Sequence, residues 1–147
     1  MAKILVIRFS AIGDVAMTVP VIHSLAVQYP QHQIKVLSRP NMAALFAHLP
    51  SNVSFIGADL KGTYKGFVGL NKLFNELKTE NFDYIADFHD VLRTKYLRLR
   101  FRLGGKKVAH IDKGRAEKKA LTRRDNKVKI QLKTSFQRYT DVLERLG

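Results

Sequence analysis

Lys3-Ile-Leu-Val-Ile-Arg8 is an uninterrupted apolar run framed by two cations, and it constrains the fold of this chain more than any other feature. A strand with one wetted face alternates apolar and polar residues. A run that is apolar at every position reads as a strand covered on both faces, which points to the interior of a parallel sheet. Parallel neighbours need a crossover between them, most often a helix. The sequence supplies the pattern. After the turn Phe9-Ser-Ala-Ile-Gly13 the period changes, and Val15, Val19, Ile22, Ala26 and Tyr29 fall on one helical face. Pro20 is expected to kink that helix or to divide it after its first turn. Further strands are expected at residues 33–38, 53–56, 82–88 and 107–111. Helical segments are expected at residues 41–48, around Leu70, Leu73, Phe74 and Leu77, and at residues 135–146.

Residues 97–103 alternate strictly between apolar and basic, which suits a strand. Leu92, Tyr96, Leu99 and Leu103 nevertheless share a helical face, and the Leu and Arg content with the need for a crossover favours helix. Strands alternating with helices predict an α/β fold: a Rossmann-like, doubly wound parallel sheet forming a single domain over residues 1–147. Ligands of such sheets bind beyond the carboxyl ends of the strands. The segments to search are therefore residues 9–14, 38–41, 57–66, 89–94 and 112–115.

Charge narrows the partners. The 147 residues carry 26 Lys and Arg against 12 Asp and Glu, a net charge of +14. The excess is uneven: residues 93–133 hold 16 bases and three acids, whereas residues 1–60 hold four and two. Anionic partners are expected: nucleic acid, acidic lipid, phosphate or acidic sugar. A basic nucleic-acid-binding module is the competing class. Against it, no reading motif is present and residues 104–135 contain no aromatic ring to stack on a base, so no nucleic acid is expected. The chain has no cysteine, which excludes disulfides, a thiol nucleophile and thiolate zinc sites and fits a reducing cytoplasm. No stretch reads as a signal peptide or a membrane span.

Two nucleotide motifs are near misses. The first turn has Gly13 alone where the dinucleotide fingerprint needs three glycines, and Gly57-Ala-Asp-Leu-Lys-Gly62-Thr63 lacks the lysine of a P-loop. What the first turn holds is a carboxylate, Asp14, at a helix N-terminus beside the expected crevice. Asp14 reads either as a helix cap worth about 1 kcal/mol or as a general base facing an acceptor hydroxyl, with Arg8 and the helix-end amides stabilising its charge. Ser10 and Gly13 make the tight turn, and Gly13 is expected to supply backbone freedom for close approach of substrate. Asp87 and His89 read as a hydrogen-bonded pair orienting the loop that carries Arg93, in preference to metal ligands; no third ligand lies at suitable spacing and no metal is expected. Lys61 and Lys65 are either clamps for an acidic acceptor or part of a solvated loop. Lys113, Arg115, Lys118, Lys119, Arg123 and Arg124 form the densest basic run, which reads as a solvated face, a contact with the lipid end of an acceptor or a contact with an anionic inner leaflet.

The opening Lys3-Ile-Leu-Val-Ile-Arg-Phe-Ser-Ala-Ile-Gly-Asp-Val, followed by Thr18-Val-Pro-Val-Ile, Leu25 and Tyr29-Pro30, resembles the start of the ADP-heptose:lipopolysaccharide heptosyltransferases, glycosyltransferase family 9. Asp87-Phe-His89-Asp-Val-Leu-Arg93-Thr94 resembles that family's Asp-Leu-His-Gly-Asn-Leu-Arg-Ser stretch, with Asp90 and Val91 in place of the usual Gly and Asn. The resemblance implies the N-terminal, acceptor-side half of a two-domain GT-B enzyme, the donor-binding domain being absent from this chain. It implies inverting, metal-independent transfer of heptose from ADP-heptose to the lipopolysaccharide inner core. No cofactor is implied, the donor being bound mainly by the missing domain, and the fragment alone is expected to be inactive. Asp14 matches the family's proposed base. Arg8, Ser10, Gly13, Lys61, Lys65, His89, Arg93, Lys113 and Arg115 are the candidates for acceptor binding. The implied location is cytoplasmic, or peripheral on the inner face of the bacterial inner membrane. A module that binds anionic glycan or lipid without catalysis is the other reading.

Overall fold

The computed structural model describes residues 2–110 and 142–143. Five strands, β1 (Lys3–Ile7), β2 (Gln33–Ser38), β3 (Val53–Gly57), β4 (Tyr84–Asp87) and β5 (Lys107–His110), form one sheet in the order β3-β2-β1-β4-β5. Every pairing is parallel. β1 lies at the centre, and its last four residues are all buried, as its unbroken apolar run requires.

Among the described elements, three helices and a 3-10 segment cover the two faces. α1 (Ile12–Gln28) and the 3-10 turn Pro40–Phe46 lie on one side, where Val15, Ile22, Ala26, Met42 and Phe46 pack on Ile4, Val6, Ile34 and Val36. α2 (Gly66–Lys78) and α3 (Leu92–Leu103) lie on the other, where Leu73, Phe74, Leu77, Leu97 and Phe101 pack on Leu5, Ile7, Leu37 and Ile85. The alternating residues of β1 thus feed two separate cores, which makes the sheet doubly wound. Of the closing helix expected at residues 135–146, only Val142 and Leu143 are described. Both are helical, and Val142 is fully buried in the α1-side core.

Three local expectations are corrected. α1 runs undivided through Pro20. The proline ring lies on the exposed side, and the five buried residues of the helix offset the lost hydrogen bond. Residues 41–48, expected as a short helix, form the 3-10 turn. α3 is a helix as expected, but its apolar stripe is turned outward: Leu92, Leu99 and Leu103 are exposed, and the buried residues are Thr94, Leu97 and Phe101. Phe101 sets this phase. Its ring stands edge-on to Phe74 at 4.9 Å and to Phe82 at 6.5 Å, an arrangement the aliphatic stripe cannot offer.

At the amino end of the sheet Lys35 binds Glu80 at 2.5 Å and Lys3 donates to the Glu80 carbonyl. The Lys35 ammonium holds the Glu80 carboxyl below its usual range. Among the described residues no helix is long and apolar enough to cross a membrane.

Candidate functional site

The sheet order places a topological switch at β1 and β4. From β1 the chain winds outward through β2 to β3, then returns to β4 on the other side of β1. The two connections that leave the carboxyl ends of β1 and β4 therefore diverge, and the gap between them is where ligands of open α/β sheets bind. The segments flanking this gap are Arg8 to Asp14 and Phe88 to Thr94.

Two bonds hold the segments against each other. Arg8 Nη1 donates to the Phe88 carbonyl at 2.9 Å, and the Phe9 N–H donates to His89 Nδ1 at 3.4 Å. The same guanidinium reaches Asp14: Arg8 Nη2 lies 3.2 Å from Oδ2. Arg8 is 12% exposed at its side chain and Asp14 49%, so a largely buried cation supports a carboxylate that solvent and ligand can reach. Asp14 is the third residue of α1. The N-cap is Ala11, which makes no side-chain cap bond, so Asp14 is not the cap. Its negative charge lies in the first helical turn, where the helix dipole favours it. The arrangement is a half-exposed carboxylate with an anchored counter-charge, on one of the two segments that flank the switch-point gap.

His89 is nearly buried, at 8% exposure. Asp87 is fully buried, and its Oδ1 accepts the His89 N–H at 2.9 Å and the Asp90 N–H at 3.0 Å. The expected Asp87–His89 bond thus runs to the histidine backbone, not to its ring. The guanidinium that serves this loop belongs to Arg98, not Arg93. Arg98 Nε stands 3.3 Å from Asp87 Oδ2, and Nη2 stands 3.0 Å from Asp90 Oδ1. Arg93 is exposed on the first turn of α3. Asp90 has φ 53°, in the left-handed region where glycine is at ease. This is the position at which the resembled family usually has Gly, and here Asp accepts the backbone cost and pairs with Arg98.

The remaining candidates are dispersed. Ser10 is half-buried in the β1–α1 connection. Gly13 is helical, and a methyl group placed on it would meet nothing within 4 Å. No left-handed backbone calls for glycine here, and what Gly13 provides is open space beside Asp14. Lys61 and Lys65 are exposed in the connection after β3, which lies two strands from β1, roughly 10 Å away across the sheet. That connection is ordered by Asp59, whose Oδ1 accepts the N–H groups of Lys61 and Gly62, and by Tyr64, whose hydroxyl donates to Glu76 and is pushed above its usual range by that carboxylate. Lys113 and Arg115, with the rest of the run to Arg124, lie outside the described residues. Arg98 was not singled out from the sequence. Its signal was the spacing 94, 97, 98 and 101, which a threonine and an arginine made look less apolar than the leucine stripe.

No protein-family model matches the chain. In sequence it is similar to the lipopolysaccharide core heptosyltransferase OpsX of Haemophilus influenzae, 28% identical over 103 residues, which are 67% of this chain and 28% of that protein. In structure it is similar to a family 9 glycosyl transferase of Veillonella parvula, with a TM-score of 0.71, 22% identity and coverage of 99% of this chain and 42% of that one. It is also similar to the Escherichia coli heptosyltransferase WaaC solved with ADP, with a TM-score of 0.65, 16% identity and coverage of 99% and 48%. The sequence match carries the heptosyltransferase resemblance, and the structures show a shared Rossmann-like glycosyltransferase fold. The chain spans less than half the length of each of these proteins.

Proposed function

We propose that this chain is the acceptor-side domain of an inverting glycosyltransferase that moves heptose from ADP-heptose to the lipopolysaccharide inner core, with Asp14 as general base. The observation that carries this reading is the half-exposed Asp14 carboxylate, paired with the anchored Arg8 at the switch point of the sheet. In the reaction Asp14 takes the proton of an acceptor hydroxyl as its oxygen bonds to the anomeric carbon from the face opposite the diphosphate. The bond from that carbon to the phosphate oxygen breaks, and ADP departs with the electron pair. Positive charge builds on the sugar ring in such a displacement, and the diphosphate needs cationic or helix-dipole support. That support belongs to a second domain, so this domain's tasks are to hold the acceptor, orient one hydroxyl and receive one proton. Arg8 and His89 fix the gap, and Lys61, Lys65 and Arg93 on the same edge of the sheet suit the carboxylates and phosphates of an inner-core acceptor. The reaction as written needs no metal ion and no cofactor.

The test uses the 147-residue chain itself. It should bind a heptose-free inner-core acceptor in calorimetry and show no detectable transfer from ADP-heptose. Robust turnover by the chain alone would overturn the two-domain reading, and absence of acceptor binding would overturn the acceptor-side assignment.

Gly13 gives a separate check. Gly13→Ala should not lower the melting temperature, because the methyl group meets no atom and alanine favours helix by up to about 1 kcal/mol over glycine. It should weaken acceptor binding about fivefold or more if the sugar packs over this turn. Unchanged affinity would remove Gly13 from the binding surface.

A further inference from the structure

We infer that the outward face of α3 docks on an anionic lipid bilayer. This goes beyond the transferase reading and does not depend on it. The starting point is the leucine stripe that the fold leaves in solvent: Leu92 is 72% exposed, Leu99 54% and Leu103 76%. They sit at i, i+7 and i+11, within one narrow sector of the helix. The opposite sector, carrying Thr94, Leu97 and Phe101, is the one buried against the sheet. α3 thus has two apolar faces where a crossover helix needs one. The stripe continues onto α2, where Phe67 is 65% exposed and its ring stands 6.0 Å from that of Tyr96.

Charge identifies what covers the stripe. Lys95 and Arg102 lie on one shoulder of the leucines, and Arg93 and Arg100 on the other; α3 contains no acid. Arg100 lies over the Phe74 ring and donates to Asn71, so its place on the shoulder is fixed. Arg93, Lys95 and Arg102 are exposed and form no ion pair among the described residues. A protein partner would have to present acids at both shoulders around an apolar centre. Leucines flanked on both sides by uncompensated cations instead fit a surface whose outer layer is anionic and whose inner layer is hydrocarbon. Each cation near such a surface should tighten binding about fivefold, and this part is screened by salt. The leucine contribution is not screened. No helix among the described residues is long and apolar enough to span, so the contact lies in the interface plane.

The experiment compares binding of the whole 147-residue chain to vesicles of phosphatidylcholine alone and to vesicles of equal parts phosphatidylcholine and phosphatidylglycerol. Binding to the mixed vesicles should be at least tenfold tighter. The double variant Leu99→Ser, Leu103→Ser keeps every charge and should bind the mixed vesicles at least tenfold more weakly while remaining folded, its melting temperature lowered only slightly, by the smaller helix propensity of serine. The chain has no cysteine, so Leu103→Cys gives a single labelling site. An environment-sensitive dye there should shift to the blue on vesicle binding and be quenched by spin-labelled acyl chains. Binding that survives the double serine variant, or a dye that stays in water while the chain is bound, would overturn the proposal and assign binding to basic residues elsewhere. Absence of vesicle binding would overturn it too, as would a blue shift that grows with protein concentration without lipid, which would mean a second copy covers the stripe.

Discussion

Asp14→Asn should lower turnover by about 10²–10⁴-fold when this domain is joined to the remaining portion of the Haemophilus influenzae relative. Donor KM should scarcely change, because the substituted group meets the acceptor hydroxyl and not the nucleotide. The structure also alters what Asp14→Ala should do. Were Asp14 the helix cap, alanine would cost stability that asparagine preserves. Asp14 is instead the third helical residue, not the cap, and is half-exposed in its pair with Arg8. Both variants lose the same half-solvated ion pair and the same charge in the first turn, together about 1 kcal/mol. Asn and Ala should therefore be alike in stability and alike in kinetic defect. Near-wild-type turnover in a folded Asp14→Asn protein would end the general-base assignment.

The largest loss of stability should come from Arg98→Met. Asp87 is fully buried and the Arg98 side chain is 12% exposed, so removing the guanidinium leaves a carboxylate sealed in the core without its counter-charge. Breaking a buried pair from one side costs about 3–5 kcal/mol, a large part of the 5–15 kcal/mol typical of whole domains. The urea midpoint should fall with an unchanged slope. The paired variant Arg98→Met, Asp87→Leu should recover only part of the loss, because Asp87 Oδ1 also accepts the N–H groups of His89 and Asp90. A loss below about 1 kcal/mol for Arg98→Met would mean that the pair is solvated in the folded chain.

The α/β organisation was readable because each signal for it is local. The unbroken run of β1 announces burial on two faces, and the changes of period mark where strands give way to helices. All five strands fall where the pattern places them, within two residues at their ends. Other features resisted because they depend on partners far along the chain. Periodicity shows that α3 has an apolar stripe but not which way the stripe faces. That choice rests on Phe101 meeting Phe74 and Phe82 and on Arg98 meeting Asp87. The position of Asp14 was legible to within one turn, yet its role turned on whether α1 begins at residue 12 or at residue 15. Pro20 carries a local penalty that tertiary burial of α1 overrides. The bond from Arg8 to the Phe88 carbonyl joins residues 80 positions apart and needed the sheet order, whereas the pair of Arg8 with Asp14, six positions apart, was legible in the first turn.

The central position of β1 bears on how the chain is made. β1 is translated before every strand it pairs with, and its two edges are covered by β2 and by β4, the latter through Ile4 opposite Tyr84. At 5–20 residues per second, β4 leaves the ribosome roughly 4 to 16 s after β1. For that interval the most apolar strand of the protein has an open hydrogen-bonding edge, the state in which strands from different chains join. Lys3 and Arg8 bracket the run with like charges, which places electrostatic repulsion between nascent chains at the ends of the segment most prone to associate.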